Sequence, residues 1–396
     1  MSAMTILAPI LVLLFTGQAA DNTRSNDLKN VGDLRVATFN VSLFRDEAGR
    51  LAKDLVDGKE SQAHRLATVI QLVRPDVLLL NEIDYEQDSR AAKLFMSEYL
   101  GVPHGRASRI AYPHWFSAPV NTGVPSGIDL DNDGSKDGWN DCFGFGKYPG
   151  QYGMLVLSKY PIRRPSTRTF QTFRWKDMPN ANLPTTAGKP FFSDQAWNAM
   201  RLSSKSHWDV AIEVQNNTLH LLACHPTPPV FDGPEDRNGK RNHDEIRFFA
   251  DYISPGQSNY IVDDAGKRGG IGGDYFVVAG DLNADPYDGD SYQQAARILI
   301  NHPLIQATPV PQSNGAMEAS KRGVNIRHAG PASQDTADFD DNRTGNLRID
   351  YVLPSRTLQL ERSGVFWPKS DESGADIVRA TDHRLVWIDV RFPNAN

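Results

Sequence analysis

The fold of this chain is decided by one stretch, Tyr275-Phe276-Val277-Val278-Ala279-Gly280-Asp281-Leu282-Asn283-Ala284. The apolar run Tyr275–Ala279 predicts a short, fully buried strand. Asp281 and Asn283 follow it two positions apart, so their side chains point to the same side. A carboxylate and an amide thus stand at the mouth of an α/β sheet, where such folds carry their chemistry. Taken alone, Asp-x-Asn after glycine is also typical of an ordinary turn.

Four further segments place polar side chains at the ends of predicted strands. They are Thr38-Phe39-Asn40-Val41, Leu80-Asn81-Glu82-Ile83, Arg348-Ile349-Asp350-Tyr351 and Thr381-Asp382-His383-Arg384. With the Asp281 segment, this ordered set resembles the endonuclease/exonuclease/phosphatase (DNase I-like) superfamily of metal-dependent phosphoesterases, in a secreted bacterial-type form. The resemblance extends from about Arg35 to Val390. It implies an α/β fold, a four-layer α/β/β/α sandwich of two packed mixed sheets flanked by helices.

Length and charge narrow the class of protein. The chain has 396 residues, of which 40% are apolar, enough for a sizeable core. We expect one catalytic domain over residues 33–392, with long excursions at about 101–150 and 159–207. A net charge of −6 argues against a tight, sequence-independent nucleic-acid binder, which needs a basic face.

The N-terminal residues 1–20 are interpreted as a signal peptide. They carry no charged side chain and contain the apolar run Ile6–Phe15, followed by the small residues Gly17 and Ala19. The run is too short to span a membrane comfortably. A basic segment before it is missing, and a disordered apolar N-terminus is the alternative. We expect a secreted or periplasmic protein. Cys142 and Cys224 then form either one disulfide or two buried thiols.

Hydrophobic periodicity predicts the main elements of the domain. A loop-like region is expected over residues 306–346. The predicted helices are Ser61–Val73, Glu245–Ile253 and Tyr292–Ile300. The predicted strands are Leu34–Asn40, Asp76–Leu80, Gly153–Leu157, Val210–Val214, Leu219–Ala223, Tyr275–Ala279, Arg348–Leu353 and Leu385–Val390.

A divalent metal site is expected at the strand ends. Cleavage of a phosphoester requires neutralisation of phosphate charge, and Mg²⁺ or Mn²⁺ does this through oxygen ligands. Glu82 is our first choice as direct ligand. Asn40 and Asp382 are the supporting ligands that the resemblance implies.

The remaining catalytic residues follow from the same resemblance. Asp281 and Asn283 would position the attacking water and the phosphate. Asp350 and His383 resemble the carboxylate–imidazole pair, in which the carboxylate fixes the tautomer of the ring. The alternative for His383 is a histidine satisfied in the core.

Two additional residues are expected at the same site. His225 stands where the superfamily often places a second histidine, although Pro226-Thr227-Pro228-Pro229 after it departs from the usual pattern. Tyr152 precedes a strand and a turn that match a recurrent segment, and its phenol could bond a phosphate oxygen. An ordinary packing role for Tyr152 stays open.

The first excursion contains a motif that resembles EF-hand-like calcium loops. Carboxylates alternate in Asp129-Leu130-Asp131-Asn132-Asp133-Gly134 and continue at Asp137 and Asp141. Asn140 replaces the usual glutamate at the twelfth position. We expect a structural Ca²⁺ here, against the alternative of a solvated acidic turn.

The sequence therefore predicts an exported, divalent-metal-dependent phosphoester hydrolase, acting on a phosphodiester or phosphomonoester, which includes nucleases. The alternative is a calcium-stabilised extracellular binding module with an inactive phosphoesterase fold. The expected partner is a phosphoester substrate, either a small molecule or nucleic acid. We expect no stable nucleic-acid complex, no membrane association and a monomer.

Overall fold

Two mixed β-sheets form the centre of the computed structural model, which describes residues 29–30 and 32–393. The predicted signal peptide lies outside the described residues. The strands are β1 (Leu34–Leu43), β2 (Val77–Ile83), β3 (His114–Phe116), β4 (Met154–Ser158), β5 (Arg168–Thr169), β6 (Thr185–Thr186), β7 (Lys189–Pro190), β8 (Trp208–Val214), β9 (Asn217–Cys224), β10 (Phe276–Asp281), β11 (Ala337–Asp338), β12 (Asn346–Leu347), β13 (Asp350–Pro354), β14 (Gln359–Val365) and β15 (Val386–Arg391).

Short helices surround the sheets. The α-helices are α1 (Arg50–Leu55), α2 (Ser61–Val73), α3 (Arg90–Leu94), α4 (Asp194–Ala199), α5 (Arg237–Ile253), α6 (Ala296–Ile300) and α7 (Asn314–Ala319). A π-helix covers Phe95–Leu100. The 3₁₀ helices are Trp139–Asp141, Arg164–Ser166, Trp175–Asp177, Ser258–Tyr260, Tyr292–Gln294, Gly323–Arg327, Ala332–Gln334 and Ile377–Ala380.

The larger sheet has six strands in the order β14-β15-β1-β2-β4-β3, and the smaller has five in the order β13-β10-β9-β8-β5. One parallel pair lies in each sheet, β1 with β2 and β9 with β10. β15 runs antiparallel to β1, and β13 runs antiparallel to β10. Polar side chains can therefore meet at one end of each sheet. That end comprises the carboxyl ends of β1, β2, β9 and β10 and the beginnings of β13 and β15.

Three apolar clusters show the layers. Because successive strand residues face opposite sides of a sheet, β1 sends Val36 to one cluster and Ala37 to another. The first lies between the sheets, and includes Leu79, Val210, Leu221 and Val277. The second packs the outer face of the larger sheet on α2, and a third packs the smaller sheet on α5. The predicted four-layer α/β/β/α sandwich is thereby confirmed.

The two long helices differ in how well the sequence predicts them. α2 has the predicted bounds, since the Glu60 carboxylate caps it by accepting the amide of Ala63 at 2.6 Å, and Pro75 follows its end. α5 begins at Arg237, well before the predicted start at Glu245. Its first half was missed because buried polar side chains, Asn242 and Asp244 among them, interrupt the apolar periodicity.

The excursions contribute to the sheets. Residues 101–150 supply the edge strand β3, and residues 159–207 supply β5 and the hairpin of β6 and β7. The region predicted as loop, 306–346, contains α7 and the β11–β12 pair, and the predicted helix Tyr292–Ile300 is broken by left-handed backbone at Gln293 and Gln294. The edge strand β14 was not predicted.

Cys142 and Cys224 are both buried and unpaired, so the second of the two alternatives for them holds. Within residues 29–30 and 32–393, no helix is both long and apolar enough to cross a bilayer.

Candidate active site

Asp281, at the end of β10, is the centre of the polar cluster at these strand ends. The Asp281 side chain is 1% exposed. Its Oδ2 accepts a hydrogen bond from the Asn40 amide at 3.0 Å, and lies 3.4 Å from His225 Nε2 and 3.7 Å from His383 Nε2. Burial raises the pKa of Asp281, but His383, His225 and Asn40 together hold it well below its usual range. The carboxylate is therefore ionised in the fold.

Asn81 on β2 joins the two sheets directly behind this cluster. Its Oδ1 accepts the amide N–H of Asp281 at 3.3 Å, and its Nδ2 donates to the Cys224 carbonyl at 3.4 Å. Gly280 lets β10 lie close to β9, because a side chain there would overlap the Cys224 carbonyl. No role was predicted for Asn81, although its neighbour Glu82 drew attention to the segment.

Glu82 carries the carboxylate best placed for a metal ion. Its Oε1 lies 3.8 Å from His225 Nε2, and Glu82, His225 and Asp281 offer atoms all within 4.8 Å of one another. No described residue donates a hydrogen bond to this carboxylate, which is 21% exposed. The φ of Glu82 is +61°, a conformation costly for a non-glycine residue and typical of functional sites. The oxygen-rich donor set fits a hard divalent cation.

The two other predicted metal ligands are placed differently. Asn40 bonds Asp281 through its nitrogen, and its Oδ1 accepts the Ser42 amide at 3.1 Å, with a lone pair remaining for an ion. Asp382 is 49% exposed, and its Oδ1 lies 3.9 Å from His383 Nε2. Asp382 stands outside both clusters of convergent carboxylates and imidazoles at this site.

His383 and Asp350 form the expected pair. His383 Nδ1 lies 2.9 Å from Asp350 Oδ2, and the Thr336 hydroxyl donates to the same oxygen at 2.9 Å. Burial lowers the pKa of His383, but Asp350 and Asp281 outweigh it and raise the value to about 10. Burial raises the pKa of Asp350 to about 6, against the lowering effect of His383. Near neutral pH the pair is therefore imidazolium and carboxylate.

His225 is held in the opposite charge state. It is 2% exposed, and its Nδ1 is sealed from solvent without a hydrogen-bond partner among the residues described. Burial, followed by the charge of Lys205, lowers its pKa, although Asp281 and Glu82 oppose the effect. Its neutral ring can thus offer a lone pair at Nε2 to an ion or a proton.

Asn283 and Tyr152 flank the centre, and both have positive φ, of +50° and +57°. The Asn283 amide N–H bonds Asp281 Oδ1 at 2.8 Å, and its side chain donates to the Pro226 carbonyl at 3.1 Å. Burial and then the charge of Glu82 raise the pKa of Tyr152 to about 12, so its phenol is protonated near this carboxylate.

Polar side chains of helix α5 hold the loops that carry these residues. This role of α5 was not predicted from the sequence. The Asn242 amide donates to the carbonyls of Thr227 and Leu282, both at 2.8 Å, and so connects the loop after His225 to the loop after Asp281. Glu245 accepts the amides of Ser204 at 2.6 Å and Thr227 at 2.7 Å. Both side chains are fully buried. The sequence gives no sign of this role, because apolar periodicity does not reveal polar residues that are buried on a helix.

The predicted calcium loop is partly assembled. Asp129, Asp131 and Asp141 offer carboxylate oxygens within 4.8 Å of one another, whereas Asp133 and Asp137 lie outside this group. Asp141 is 1% exposed and accepts the amides of Leu130 at 2.8 Å and Gly138 at 2.9 Å. The loop geometry therefore brings together three of the five predicted ligands.

Asp335, next to Thr336, allows a prediction about stability. Burial, with Asp285 and Asp288 nearby, raises its pKa from 3.8 to about 8. The folded state binds this proton more tightly, so the stability it contributes is present below pH 4 and is lost as the pH rises to about 8. Asp335→Asn should leave unfolding by urea almost unchanged at pH 4 and stabilise the protein by on the order of a few kcal/mol at pH 8. A shift that is equal at both pH values would contradict this.

Several solved structures are similar to this chain. The structure of an endonuclease/exonuclease/phosphatase from Beutenbergia cavernae DSM 12333 is 19% identical, with a TM-score of 0.50, over 92% of this chain and 72% of that chain. A family protein from Leptotrichia buccalis C-1013-b is 13% identical, over 91% of this chain and 100% of that one, with a TM-score of 0.48. Sphingomyelinase C from Streptomyces griseocarneus is 15% identical, over 90% of this chain and 99% of that one, with a TM-score of 0.46.

A search among curated proteins found no match. The profile of the endonuclease/exonuclease/phosphatase family, however, matches residues 37–383, which is most of the chain. The chain therefore belongs to the endonuclease/exonuclease/phosphatase family, whose members are metal-dependent phosphoester hydrolases.

Proposed function

We propose that this protein is an exported, divalent-metal-dependent hydrolase of phosphodiesters or phosphomonoesters. The observation that carries the proposal is the ionised Asp281 carboxylate, held between a neutral His225 and a cationic His383, with Glu82 beside it. A site built only for stability would not need three partners for Asp281 or leave the Glu82 carboxylate without a hydrogen-bond donor among the described residues.

The residues have distinct roles in this proposal. Glu82 and Asn40 would hold Mg²⁺ or Mn²⁺, with Asp382 as an outlying supporting ligand. The ion, when bound, neutralises charge on the phosphoryl group. Asp281 and Asn283 orient the attacking water and the phosphate. His383, kept cationic by Asp350, contacts a phosphoryl oxygen, and His225 and Tyr152 complete the site.

A panel of substrates tests the proposal. We expect turnover of a bis-aryl phosphate, an aryl phosphate or plasmid DNA with Mg²⁺ or Mn²⁺, and none in EDTA. The relative rates separate diesterase, monoesterase and nuclease. Failure of all three substrates with every ion would instead favour an inactive fold serving as a calcium-stabilised binding module.

A lipid phosphodiesterase is a second candidate, favoured by an exposed aromatic pair. Trp139 and Phe145 are each 53% exposed, with ring centroids 6.3 Å apart, and Lys147 Nζ lies 5.2 Å from the Trp139 ring. Such a pair can rest in a membrane interface. The test is cleavage of choline phospholipids in vesicles by the parent and by Trp139→Ala/Phe145→Ala. Loss of this cleavage in the double variant, with turnover of bis-aryl phosphate unchanged, would support a lipid phosphodiesterase over a protein that acts only away from membranes.

Calcium should stabilise the fold through Asp129, Asp131 and Asp141 without being the catalytic ion. A ligand that binds only the native state stabilises it by roughly 3 kcal/mol at a hundredfold excess over Kd. The melting temperature should rise with Ca²⁺ in the parent and not in Asp129→Ala/Asp131→Ala. Asp133→Ala and Asp137→Ala, outside the group, should keep most of the shift. Equal shifts in the parent and the double variant would show that the loop is an acidic turn and not the Ca²⁺ site.

The proposal also covers the export and the oligomeric state of the protein. We infer a secreted or periplasmic monomer that forms no stable complex with nucleic acid. N-terminal sequencing of the exported protein should place the first residue after position 20, and sedimentation equilibrium should return the mass of one chain. An uncleaved N-terminus or a dimer would contradict these inferences.

A further inference from the structure

Lys205 is a buried lysine beside the catalytic cluster. It precedes β8 and is 6% exposed. The carboxylates of Glu245, Glu82 and Asp281 act on its charge, and its own charge acts on His225. Its neighbour Ser204 bonds Glu245 and approaches the His225 carbonyl, so Lys205 stands beside the residues to which the reaction is assigned.

The ammonium of Lys205 has no direct partner in the part of the chain that the structure describes. No described residue accepts a hydrogen bond from it or forms a close ion pair with it, and its nitrogen is not among the polar atoms sealed from solvent. The stem of the side chain is buried while the ammonium reaches solvent, and an ammonium carries three donors. Its carboxylate neighbours supply long-range attraction only. Three unused donors at this position fit an anionic group that arrives from outside.

The backbone around Lys205 is fixed. The preceding residue, Ser204, gives its amide and hydroxyl to Glu245 at 2.6 and 3.0 Å, and Asn121 donates its amide to the Lys205 carbonyl at 2.8 Å. The Ser204 hydroxyl also lies 3.4 Å from the His225 carbonyl. Lys205 is therefore anchored to the same loop as His225 and to the helix that positions it.

We propose that Lys205 is a catalytic residue whose ammonium donates a hydrogen bond to a non-bridging oxygen of the phosphoryl group under attack. This inference rests on the proposed hydrolase function. The competing role is a counter-charge that only offsets the repulsion among Glu82, Asp281 and Glu245. The two roles differ in what removal of the charge does to phosphate binding.

Lys205→Met, which keeps the length of the side chain, separates these roles. With a bis-aryl phosphate and saturating Mg²⁺, kcat/KM should fall by about 10²–10³-fold, as for removal of one preorganised donor to a developing charge. Inorganic phosphate should inhibit at least ~10-fold more weakly. The melting temperature should not fall. Lys159→Met is the matched control, because the ammonium of Lys159 is already paired with Asp76 at 3.0 Å.

The outcomes distinguish the two proposals. A folded Lys205→Met with unchanged kcat/KM and phosphate inhibition would overturn the role of Lys205 and leave the hydrolase function intact. A lowered melting temperature with unchanged kcat/KM per folded molecule would establish the counter-charge role. If the parent cleaves no phosphoester, the hydrolase function fails, and calorimetric titration with phosphate still decides: loss of binding in Lys205→Met supports the contact, and equal binding overturns it. If Lys205→Met does not fold, Lys205→Gln replaces it with the same expectations.

Discussion

Asp281→Ala and Glu82→Ala should each lower kcat/KM for the preferred phosphoester by more than about 10³-fold at saturating Mg²⁺. Asp281 is the acceptor on which Asn40, His225 and His383 converge, so its loss removes the charge that organises all three. Glu82 is the carboxylate left open to an ion. The Glu82 variant should also require a higher Mg²⁺ concentration for half-maximal rate, measured by metal titration.

Glu361→Ala is a suitable control for these variants. Its carboxylate is 32% exposed and lies 3.9 Å from Arg391, remote from the strand ends that carry the site. Its kcat/KM should stay within about twofold of the parent, as for most surface substitutions. Full turnover by folded Asp281→Ala or Glu82→Ala in EDTA would remove the metal-dependent mechanism altogether.

Asp382 provides a separate comparison within the site. The family resemblance implies that it supports the metal, whereas its carboxylate is half exposed and outside the clusters. A loss in Asp382→Ala much smaller than in Glu82→Ala would agree with the geometry. A comparable loss would show that the loop before β15 closes on the ion when it binds.

The fold was predictable because its core strands are nearly pure apolar runs. Val77 to Leu80 and Phe276 to Ala279 are typical of strands buried on both faces, and polar residues follow each run within two positions. The edge strand β14 was missed because its sequence, Gln-Leu-Glu-Arg-Ser-Gly-Val, is largely polar and pairs on one side only. Short edge strands derive their structure from the neighbouring strand rather than from their own pattern.

The site was predictable to the extent that its residues follow strands. Asp281 and Glu82 lie at the ends of β10 and β2, and His383 stands just before β15. Thr336, Asn242, Glu245 and Lys205, in contrast, act from loops and from a helix. Their contacts join positions far apart in sequence: Asn242 meets Leu282, and Thr336 meets Asp350. No local pattern encodes such pairs, so sequence reasoning recovers the reacting groups before it recovers the residues that hold them.

His383→Ala should reduce kcat by about 10²–10⁴-fold, the usual range for groups that assist proton transfer or stabilise charge at the reacting centre. Asp350→Asn should cost a comparable factor with little loss of stability, because the amide still fills the space beside Thr336. The physical reason is the 2.9 Å contact between His383 Nδ1 and Asp350 Oδ2, which orients the ring and keeps it cationic. An asparagine side chain is uncharged, so it orients the ring less firmly and stabilises its positive charge less.

The double variant tests whether the two residues act as one unit. If they do, His383→Ala/Asp350→Asn should be about as slow as His383→Ala alone, since the second change removes a group whose catalytic partner is already gone. The pH profile gives an independent readout: in Asp350→Asn the histidine should lose its proton at a lower pH, so kcat should begin to decline at a pH below that of the parent. Losses that multiply, together with an unchanged pH profile, would show that the residues act separately and that His383 contacts phosphate without help from Asp350.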